Sequence, residues 1–487
     1  KKLIKGPKVD APKEAIEGFV RSNNLNIKDL YKKKIEKGEF YFAETKSKII
    51  DILCELQIII PEVLQLYSWK KSMKWSSYEL SWGRPLKSIT ALFNNKILNF
   101  SFFHLKTSNQ IQVEGLKGDV FKKINNFRDY QKILKSNKIV LDQEIRKEII
   151  TKKMKNICVS RSLKDKFDDK LINEVVNLVE KPNIIVGKFD EIYLKIPQEI
   201  LIITMQQHQK YFPLFDLNNK LTNSFLLVAN LPDSKGFIKL GNQRVIEARL
   251  SDAKFFWEKN KNQNLVKQVS KLKSLSFFKE LGTFYDRTQR LRKLASIISE
   301  QLNINKEKVE IASSICKADL VSDLVGEFPE LQGVMGKYFA QTQGFEEDIS
   351  SAISDHYLPL GFDSEIPKKP ISVAVAIIDK IDTLVGFFGI DEKPTSSKDP
   401  FALRRTAIGL LRVITENKLS VQLKDIINFS ISTYTDQNVK FSNKLVAKEV
   451  ISFLRDRFKN LLKDKKIRND IIEAVDSSDT NNNFLML

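Results

Sequence analysis

The spacing of apolar positions changes near residues 260–268 of the chain. Before this point helical and strand-like patterns alternate, which predicts an α/β half; after it the period is almost entirely helical. Residues 1–80 are interpreted as a charged opening with helix-like stretches. Further on, the pattern predicts helices near residues 49–56, 143–154, 171–179, 198–206 and 246–257, and strands near residues 80–105, 184–186, 211–215 and 225–229. Turn-forming residues 216–219 join the last two strands in a predicted hairpin.

In the second half, residues 373–385 form an apolar stripe that predicts a buried helix. Asp399 and Pro400 suit the N-cap and first position of the next helix. The charged residues 436–470 are also expected to be helical. We therefore expect a multidomain α+β protein with an α/β region over residues 1–262, a helical domain over 263–420 and a helical linker over 421–487.

The net charge adds a functional hint. The chain has 80 Lys and Arg against 60 Asp and Glu, which gives +20 and an isoelectric point near 9.5. Such an excess favours a polyanionic partner, most often nucleic acid. The alternative is a solvated lysine-rich surface that reflects a biased genome. Three cysteines in 487 residues favour a reducing compartment, the cytoplasm, and no apolar run is long enough for a membrane span.

Several kinds of catalytic site are excluded by missing motifs. The chain has no Walker A sequence, no dinucleotide-binding glycine pattern, no nucleophile elbow and no cysteine pair with zinc spacing. Its histidines are His104, His208 and His356. Reactions that need several histidines are therefore disfavoured, and we expect neither catalytic residues nor a bound metal or cofactor in this chain.

Four segments are too particular for generic helices, namely residues 204–213 (TMQQHQKYFP), 241–256 (GNQRVIEARLSDAKFF), 317–333 (beginning KADL and ending GEFPELQG) and 397–405 (SKDPFALRR). Shorter matches are residues 6–12 (GPKVDAP), 279–283 (KELGT), 356–359 (HYLP) and 379–386 (DKIDTLVG). In this order they resemble the β subunit of the bacterial heterotetrameric glycyl-tRNA synthetase, and the resemblance spans nearly the whole chain.

The resemblance implies a set of expectations. In that family the α subunit holds the aminoacylation site, where glycine and ATP react, with Mg²⁺ expected there. The β subunit binds tRNA(Gly) and the α subunit in an α2β2 assembly. Residues 1–262 would be a B3/B4-like region, and residues 263–420 a degenerate HD-phosphohydrolase domain. Both ends are interpreted as cuts in a longer protein, with residues 421–487 leading to a missing anticodon-binding domain.

Candidate contacts to tRNA or the α subunit come first from the α/β half. His208 and Lys210 precede a strand and could meet a phosphate, or they could satisfy backbone groups at a turn. Arg244 and Arg249 could anchor a phosphate because a guanidinium binds it bidentately. Alternatively each arginine pairs with a carboxylate three residues further on.

Lys398, Arg404 and Arg405 form a second group of contact candidates. Lys398 precedes a predicted helix N-terminus, which attracts phosphates. The two arginines are expected one turn inside that helix, where they point in different directions. The alternative is that one of them is buried against Asp379 or Asp382.

The degenerate HD-like positions implied by the resemblance are Asp319, Asp355, His356, Asp379 and Asp382. Lys317 stands beside Asp319 and would repel a metal, and the Asp355-His356 order is reversed relative to the expected dyad. We therefore expect no metal. Two other readings stay open: a metal-dependent HD-type phosphohydrolase, and a basic RNA-binding protein unrelated to aminoacylation.

Overall fold

The computed structural model describes residues 2–35, 38–45, 51–115, 118–361, 364–396 and 398–476. Contacts divide the chain into two compact units, residues 1–141 and 142–487. More residues lie in helices than in strands, and the sheets are small. This confirms the predicted multidomain α+β class. The boundaries at residues 262 and 420 fall inside the second unit and stay predictions. Over the described ranges, no helix combines the length and apolarity needed to cross a membrane.

The first unit consists mainly of short strands. Its elements are β1 (Lys2–Lys8), α1 (Lys13–Ser22), β2 (Leu30–Ile35), β3 (Gly38–Thr45), α2 (Ile52–Gln65), β4 (Ile89–Thr90), β5 (Leu92–Phe93), β6 (Lys96–Ile97), β7 (Ser101–Phe102), β8 (Leu105–Ser108), β9 (Gln110–Gly115), β10 (Gly118–Lys123) and α3 (Phe127–Ser136). Strands β1, β3 and β2 form an antiparallel sheet in that order.

The interpretation of residues 1–80 as charged and helix-like was wrong for this sheet. The four middle residues of β2 are exposed, so the strand lacks the alternating apolar pattern that would reveal it. Its register is set by β3, where Leu30 pairs with Ala43 and Tyr31 with Phe42. The predicted helix over residues 49–56 begins at Ile52, and positions 49–50 lie outside the described residues.

The second unit begins with a sheet between helices. Its elements are α4 (Gln143–Ser160), α5 (Asp169–Val176), β11 (Asn183–Lys188), α6 (Gln198–Ile203), β12 (Phe212–Phe215), β13 (Leu221–Ala229) and α7 (Phe237–Asn260). The antiparallel order is β11-β13-β12. The predicted β12–β13 hairpin is confirmed, and Asp216 Oδ1 closes its turn by accepting from the Asn218 and Lys220 amides.

Alternation along these strands builds a core on each side of the sheet. Phe212 and Leu214 face the apolar cluster that includes residues of α4 and α5. Phe225 and Leu227 face the larger cluster shared with α7 and the helical part. Because both faces are covered by apolar side chains, the sheet is fixed within the second unit.

The remainder of the second unit is helical. Its elements are α8 (Leu265–Gln268), β14 (Ser276–Phe278), β15 (Gly282–Thr283), α9 (Phe284–Leu302), α10 (Lys306–Ile315), α11 (Asp323–Glu327), α12 (Val334–Thr342), α13 (Glu347–Asp355), α14 (Pro370–Gly389), α15 (Leu403–Glu416), α16 (Leu423–Asp436), α17 (Val446–Asp464) and α18 (Asn469–Asp476). Helix α14, predicted from its apolar stripe, is buried along nearly its whole length among α9, α10, α13, α15, α16 and α17.

Three helix boundaries differ from the prediction. Helix α15 begins at Leu403, so Pro400 is not its first residue; the Asp399 carboxylate instead reaches across a turn and accepts from the Leu403 and Arg404 amides. Helix α6 ends at Ile203, and residues 204–208 form a π-helical turn. Residues 437–445 separate α16 from α17, where continuous helix was expected.

Candidate functional site

Three charged side chains interrupt the apolar helix α14. Asp379, Lys380 and Asp382 are all buried. The two aspartates are three residues apart and lie on one face of the helix. Helix α9, packed alongside, has Arg287 and Arg290 at the same spacing. The two helices therefore meet through two pairs of opposite charges in the interior of the unit.

The inner pair is Arg290 with Asp382. Arg290 Nε donates to Asp382 Oδ1 at 2.7 Å and Nη2 to Oδ2 at 3.2 Å. Its Nη1 donates to Gln437 Oε1 at 2.7 Å and to the Leu281 carbonyl at 3.3 Å. The guanidinium lies 3.9 Å from the ring centroid of Tyr434. Both charged side chains are fully buried, so this bidentate contact is shielded from solvent screening.

The outer pair is joined by a second cation. Asp379 Oδ1 accepts from Arg287 Nη2 at 2.9 Å and lies 3.1 Å from Lys317 Nζ. The Lys317 ammonium also lies 2.7 Å from His356 Nε2 and 4.1 Å from the ring centroid of Tyr357. Lys317 is thus the centre of the cluster, in contact with a carboxylate, an imidazole and an aromatic face.

These contacts fix the charge states of the imidazole and the carboxylate. An ammonium only donates, so His356 Nε2 accepts from Lys317, while Nδ1 donates to the Ala352 carbonyl at 3.1 Å. Burial and the Lys317 charge hold the pKa of His356 well below its ordinary value, so the ring is neutral. Burial opposes the charge of Asp379, but Arg287 and Lys317 lower its pKa far below the usual range.

This arrangement does not fit a metal ion. A metal needs converging lone pairs, but the His356 Nε2 and Asp379 Oδ1 lone pairs converge on the Lys317 ammonium. In the parts of the chain that the structure describes, His, Cys, Asp and Glu form no group of three or more that could hold a metal. The Lys317 ammonium therefore occupies the position between His356 and Asp379 that a metal ion would need.

The Asp319 carboxylate binds two backbone amides of this chain. Its Oδ2 accepts from the amide of Gly333 at 2.5 Å and from that of Gly336 at 3.0 Å, at the start of α12. Burial raises the pKa of Asp319 to about 6, although both amides and Lys317 act to lower it. A methyl group at Gly336 would lie 3.1 Å from this carboxylate, so glycine permits the close approach.

The five HD-like positions do not converge on one point. Asp355 accepts from the hydroxyls of Ser354 and Ser372 and so ties the end of α13 to the start of α14. His356 and Asp379 meet only through the Lys317 ammonium. The arrangement joins helices and offers no set of side chains that could activate a water molecule.

The arginines of α9 were missed by sequence reasoning. Arg287 and Arg290 lie 92 residues before their aspartate partners. A signal was present, because Asp379 and Asp382 in an otherwise apolar stripe must have buried partners. Two arginines at the same three-residue spacing match that requirement.

His208 and Lys210 lie where the π-helical turn meets β12. The exposed His208 ring packs edge-on against Phe328, with centroids 5.4 Å apart. Lys210 Nζ lies 2.9 Å from Glu174 Oε1, and the residue has a φ of 58°. Lys210 thus has an intramolecular partner, and a role in external contacts stays a prediction for both residues.

Arg244 and Arg249 are both exposed on α7. The alternative of pairing with Glu247 and Asp252 does not hold, since neither arginine forms an ion pair with any carboxylate of the described chain. Their guanidinium groups are open to solvent. A role in binding phosphate stays a prediction.

The loop before α15 holds the other predicted contacts. Lys398 is exposed. Arg404, in the first turn of α15 and not one turn inside it, donates from Nη2 to the Thr395 carbonyl. Arg405 is exposed. The alternative that one of these arginines is buried against Asp379 or Asp382 does not hold, because α9 and Lys317 already occupy those carboxylates.

Comparison with known proteins gives the family. A family model described as the glycyl-tRNA synthetase beta subunit matches residues 2–477. The chain belongs to the glycyl-tRNA synthetase beta subunit family. The resemblance read from the motifs is thereby confirmed, and all eight motif segments lie within the range matched to the glycyl-tRNA synthetase beta subunit.

Individual members of the glycyl-tRNA synthetase beta subunit family are similar over most of the chain. The glycine–tRNA ligase beta subunit of Clostridioides difficile (strain 630) is 39% identical over 489 residues, which is 98% of this chain and 70% of that protein. The beta subunit of Rickettsia canadensis (strain McKiel) is 39% identical, covering 94% and 67%. That of Rhodospirillum centenum is 37% identical, covering 97% and 70%.

Proposed function

We propose that this chain is the non-catalytic β subunit of glycine–tRNA ligase. It binds tRNA(Gly) and a catalytic α subunit in an α2β2 assembly, so that glycine is attached to tRNA in an ATP-dependent reaction in the cytoplasm. ATP and Mg²⁺ act at the α subunit. The observation that carries this proposal is the family match over residues 2–477.

The α/β part acts as a B3/B4-like module and the helical part as a degenerate HD-like domain. The charge cluster supports the second assignment, because Lys317 joins His356 and Asp379 where a phosphohydrolase would need metal-binding lone pairs. Such a domain serves as a scaffold for binding. The net charge of +20 supports a polyanionic partner for that scaffold.

The catalytic part of the proposal is tested by glycine-dependent ATP–pyrophosphate exchange. The purified chain alone gives background exchange, whereas exchange and tRNA charging appear when the α subunit of the same organism is added. Exchange above background by the chain alone, with no α subunit detectable by mass spectrometry, would contradict the proposal. Failure to co-purify with the α subunit would contradict the assembly.

The tRNA part is tested by filter binding over a salt series. Phosphate contacts release counterions, so affinity falls by about three orders of magnitude or more between about 50 and 200 mM salt if about six phosphates are contacted. Arg244→Gln or Arg249→Gln reduces the salt slope by about 1 where that arginine meets a phosphate. Arg292→Gln is the matched control, because Arg292 is exposed on α9. A flat salt dependence would argue against phosphate-driven binding.

A further inference from the structure

A cavity opens beside the charge cluster of the second unit. Its volume is about 230 Å³, and it lies among α14, the first turn of α15 and the segment that follows α13. It is lined by His356, Tyr357, Pro359, Leu360, Asp379, Lys380, Thr383, Ala402, Arg405 and Thr406. Two cations that line this cavity, Lys380 and Arg405, take no part in the ion pairs of α9, Lys317 and the HD-like positions.

Lys380 is a buried cation without a carboxylate partner. Its Nζ donates to the carbonyls of His356 at 3.0 Å and Leu358 at 2.7 Å, and an ammonium has three hydrogens to donate. No Asp or Glu oxygen of the described chain lies within ion-pair distance of this nitrogen. The adjacent Asp379 is already paired with Arg287 and Lys317.

Arg405 supplies a second uncompensated charge at the rim of the cavity. Its side chain is exposed, and it forms no ion pair or side-chain hydrogen bond with another described residue. Thus one cation from α14 and one from α15 border the same space. A guanidinium presents a fork of N–H donors that suits a tetrahedral oxyanion.

The charge balance of the cluster gives the size of the missing negative charge. The buried charged side chains of the described residues are the cations Arg287, Arg290, Lys317 and Lys380 and the anions Asp319, Asp379 and Asp382, with His356 neutral. Four cations against three anions leave one positive charge in the interior, and Arg405 at the rim adds a second. Buried charges are normally compensated, so the interior lacks one negative charge, and the exposed Arg405 places a second cation at the rim of the same cavity.

We propose that this cavity binds a phosphomonoester group between Lys380 and Arg405. A phosphomonoester has about −1.5 to −2 charge near pH 7, which matches the two uncompensated cations, whereas a carboxylate or a phosphodiester supplies only one. The phosphate belongs either to a free mononucleotide or to the 5′ end of an RNA, and only the second source rests on the proposed function.

The first experiment measures binding of inorganic phosphate, AMP and adenosine by calorimetry and thermal shift, with potassium chloride at matched ionic strength. Phosphate and AMP bind and raise the melting temperature, and adenosine does neither. Arg405→Gln weakens binding by about tenfold or more, as expected for loss of a charge-assisted contact. Leu360→Glu also weakens it, because this exposed rim position then repels the anion.

The matched control is Arg292→Gln, which removes an exposed arginine from α9 and leaves affinity within about twofold of wild type. Both rim variants are expected to melt like wild type without ligand, because neither side chain is buried. Absence of phosphate and AMP binding at millimolar concentrations overturns the proposal. Equal affinities for Arg405→Gln and Arg292→Gln overturn it as well.

The second experiment separates the two sources of phosphate. The tRNA transcript is prepared with a 5′-monophosphate and with a 5′-hydroxyl, and both are bound to wild type and to Arg405→Gln. A preference for the 5′-phosphate that Arg405→Gln removes assigns the cavity to the RNA end. Equal binding of both transcripts, with AMP still bound through Arg405, assigns it to a free nucleotide. If phosphate and AMP fail to bind but tRNA binds normally, the cavity proposal falls and the proposed function stands.

Discussion

Replacing Arg290 by methionine is the sharpest test of the buried charge cluster. Methionine fills part of the same volume but removes the bidentate contact with Asp382 and the bonds to Gln437 and Leu281. It leaves the Asp382 carboxylate fully buried. The nearest remaining cation is Arg287, whose Nε lies 3.6 Å from Asp382 Oδ2. That longer contact offsets only part of the loss.

The expected cost follows from burial. Breaking one side of a buried, hydrogen-bonded ion pair costs about 3–5 kcal/mol, because a charge is left without compensation. We expect Arg290→Met to fall in the lower half of that range, since Arg287 retains its contact with Asp382. The double variant Arg290→Met with Asp382→Leu removes both charges. It should therefore be more stable than Arg290→Met alone.

Lys293→Met provides the matched control on the same helix. Lys293 Nζ lies 2.7 Å from Asp436 Oδ2, the same distance as the closest Arg290–Asp382 contact, but the two side chains are 49% and 55% exposed. Solvent screening limits such a pair to about 0–1 kcal/mol. Urea unfolding monitored by circular dichroism measures all four proteins. Equal losses for Arg290→Met and Lys293→Met, or a double variant no more stable than Arg290→Met, would refute the reasoning from burial.

Three further predictions concern stability and composition. Burial raises the pKa of Asp319 to about 6, above an unfolded value of about 3.9, so this group costs the folded state stability as pH rises from about 4 to about 6. The free energy of unfolding of Asp319→Asn should therefore rise relative to that of wild type by up to about 3 kcal/mol across that window. A difference in urea unfolding that does not depend on pH would contradict this. Gly386→Ala brings a methyl against the Tyr434 hydroxyl and should cost about 1–3 kcal/mol, whereas Gly326→Ala meets open space and should change stability by less than about 0.5 kcal/mol; equal effects on thermal melting would count against the packing argument. Elemental analysis of protein purified without chelator should find no stoichiometric transition metal, and one bound metal per chain, lost in Asp319→Ala, would revive the phosphohydrolase alternative.

The parts of the fold that sequence reasoning predicted depend on local patterns. The β12–β13 hairpin was predicted because Asp216 and its neighbours have turn chemistry between two apolar runs. Helix α14 was predicted because its apolar residues follow a helical stripe over residues 373–385. In both cases residues close in sequence contain the information.

The parts that were missed depend on distant partners. Strand β2 has exposed lysines, and its antiparallel pairing with β3, which lies outside its own local pattern, defines it. The start of α15 was misplaced because Asp399 caps it from four residues away through a turn that Ala402 completes with a φ of 54°. A capping rule based on adjacent positions cannot distinguish this geometry from an N-cap.

The candidate site was also predicted only in part. The aspartates of α14 were singled out through the family resemblance, but their arginine partners lie 92 residues earlier. Sequence alone does not distinguish Arg287 from Arg404 or Arg405 as the cation beside Asp379, because each choice satisfies the same charge requirement. Helix packing makes the choice, since α9 lies along α14.

Lys317 joins His356 and Asp379 through an ammonium group instead of a metal ion. A metal ion between His356 and Asp379 would both attract these groups and polarise a bound water molecule. An ammonium supplies the attraction through its hydrogens, at 2.7 Å from Nε2 and 3.1 Å from Oδ1, but it has no empty orbital to coordinate water. The same contacts that join α13 and α14 therefore place an ammonium where a metal ion would act as the Lewis acid. This supports the proposal that the helical part serves as a scaffold for binding.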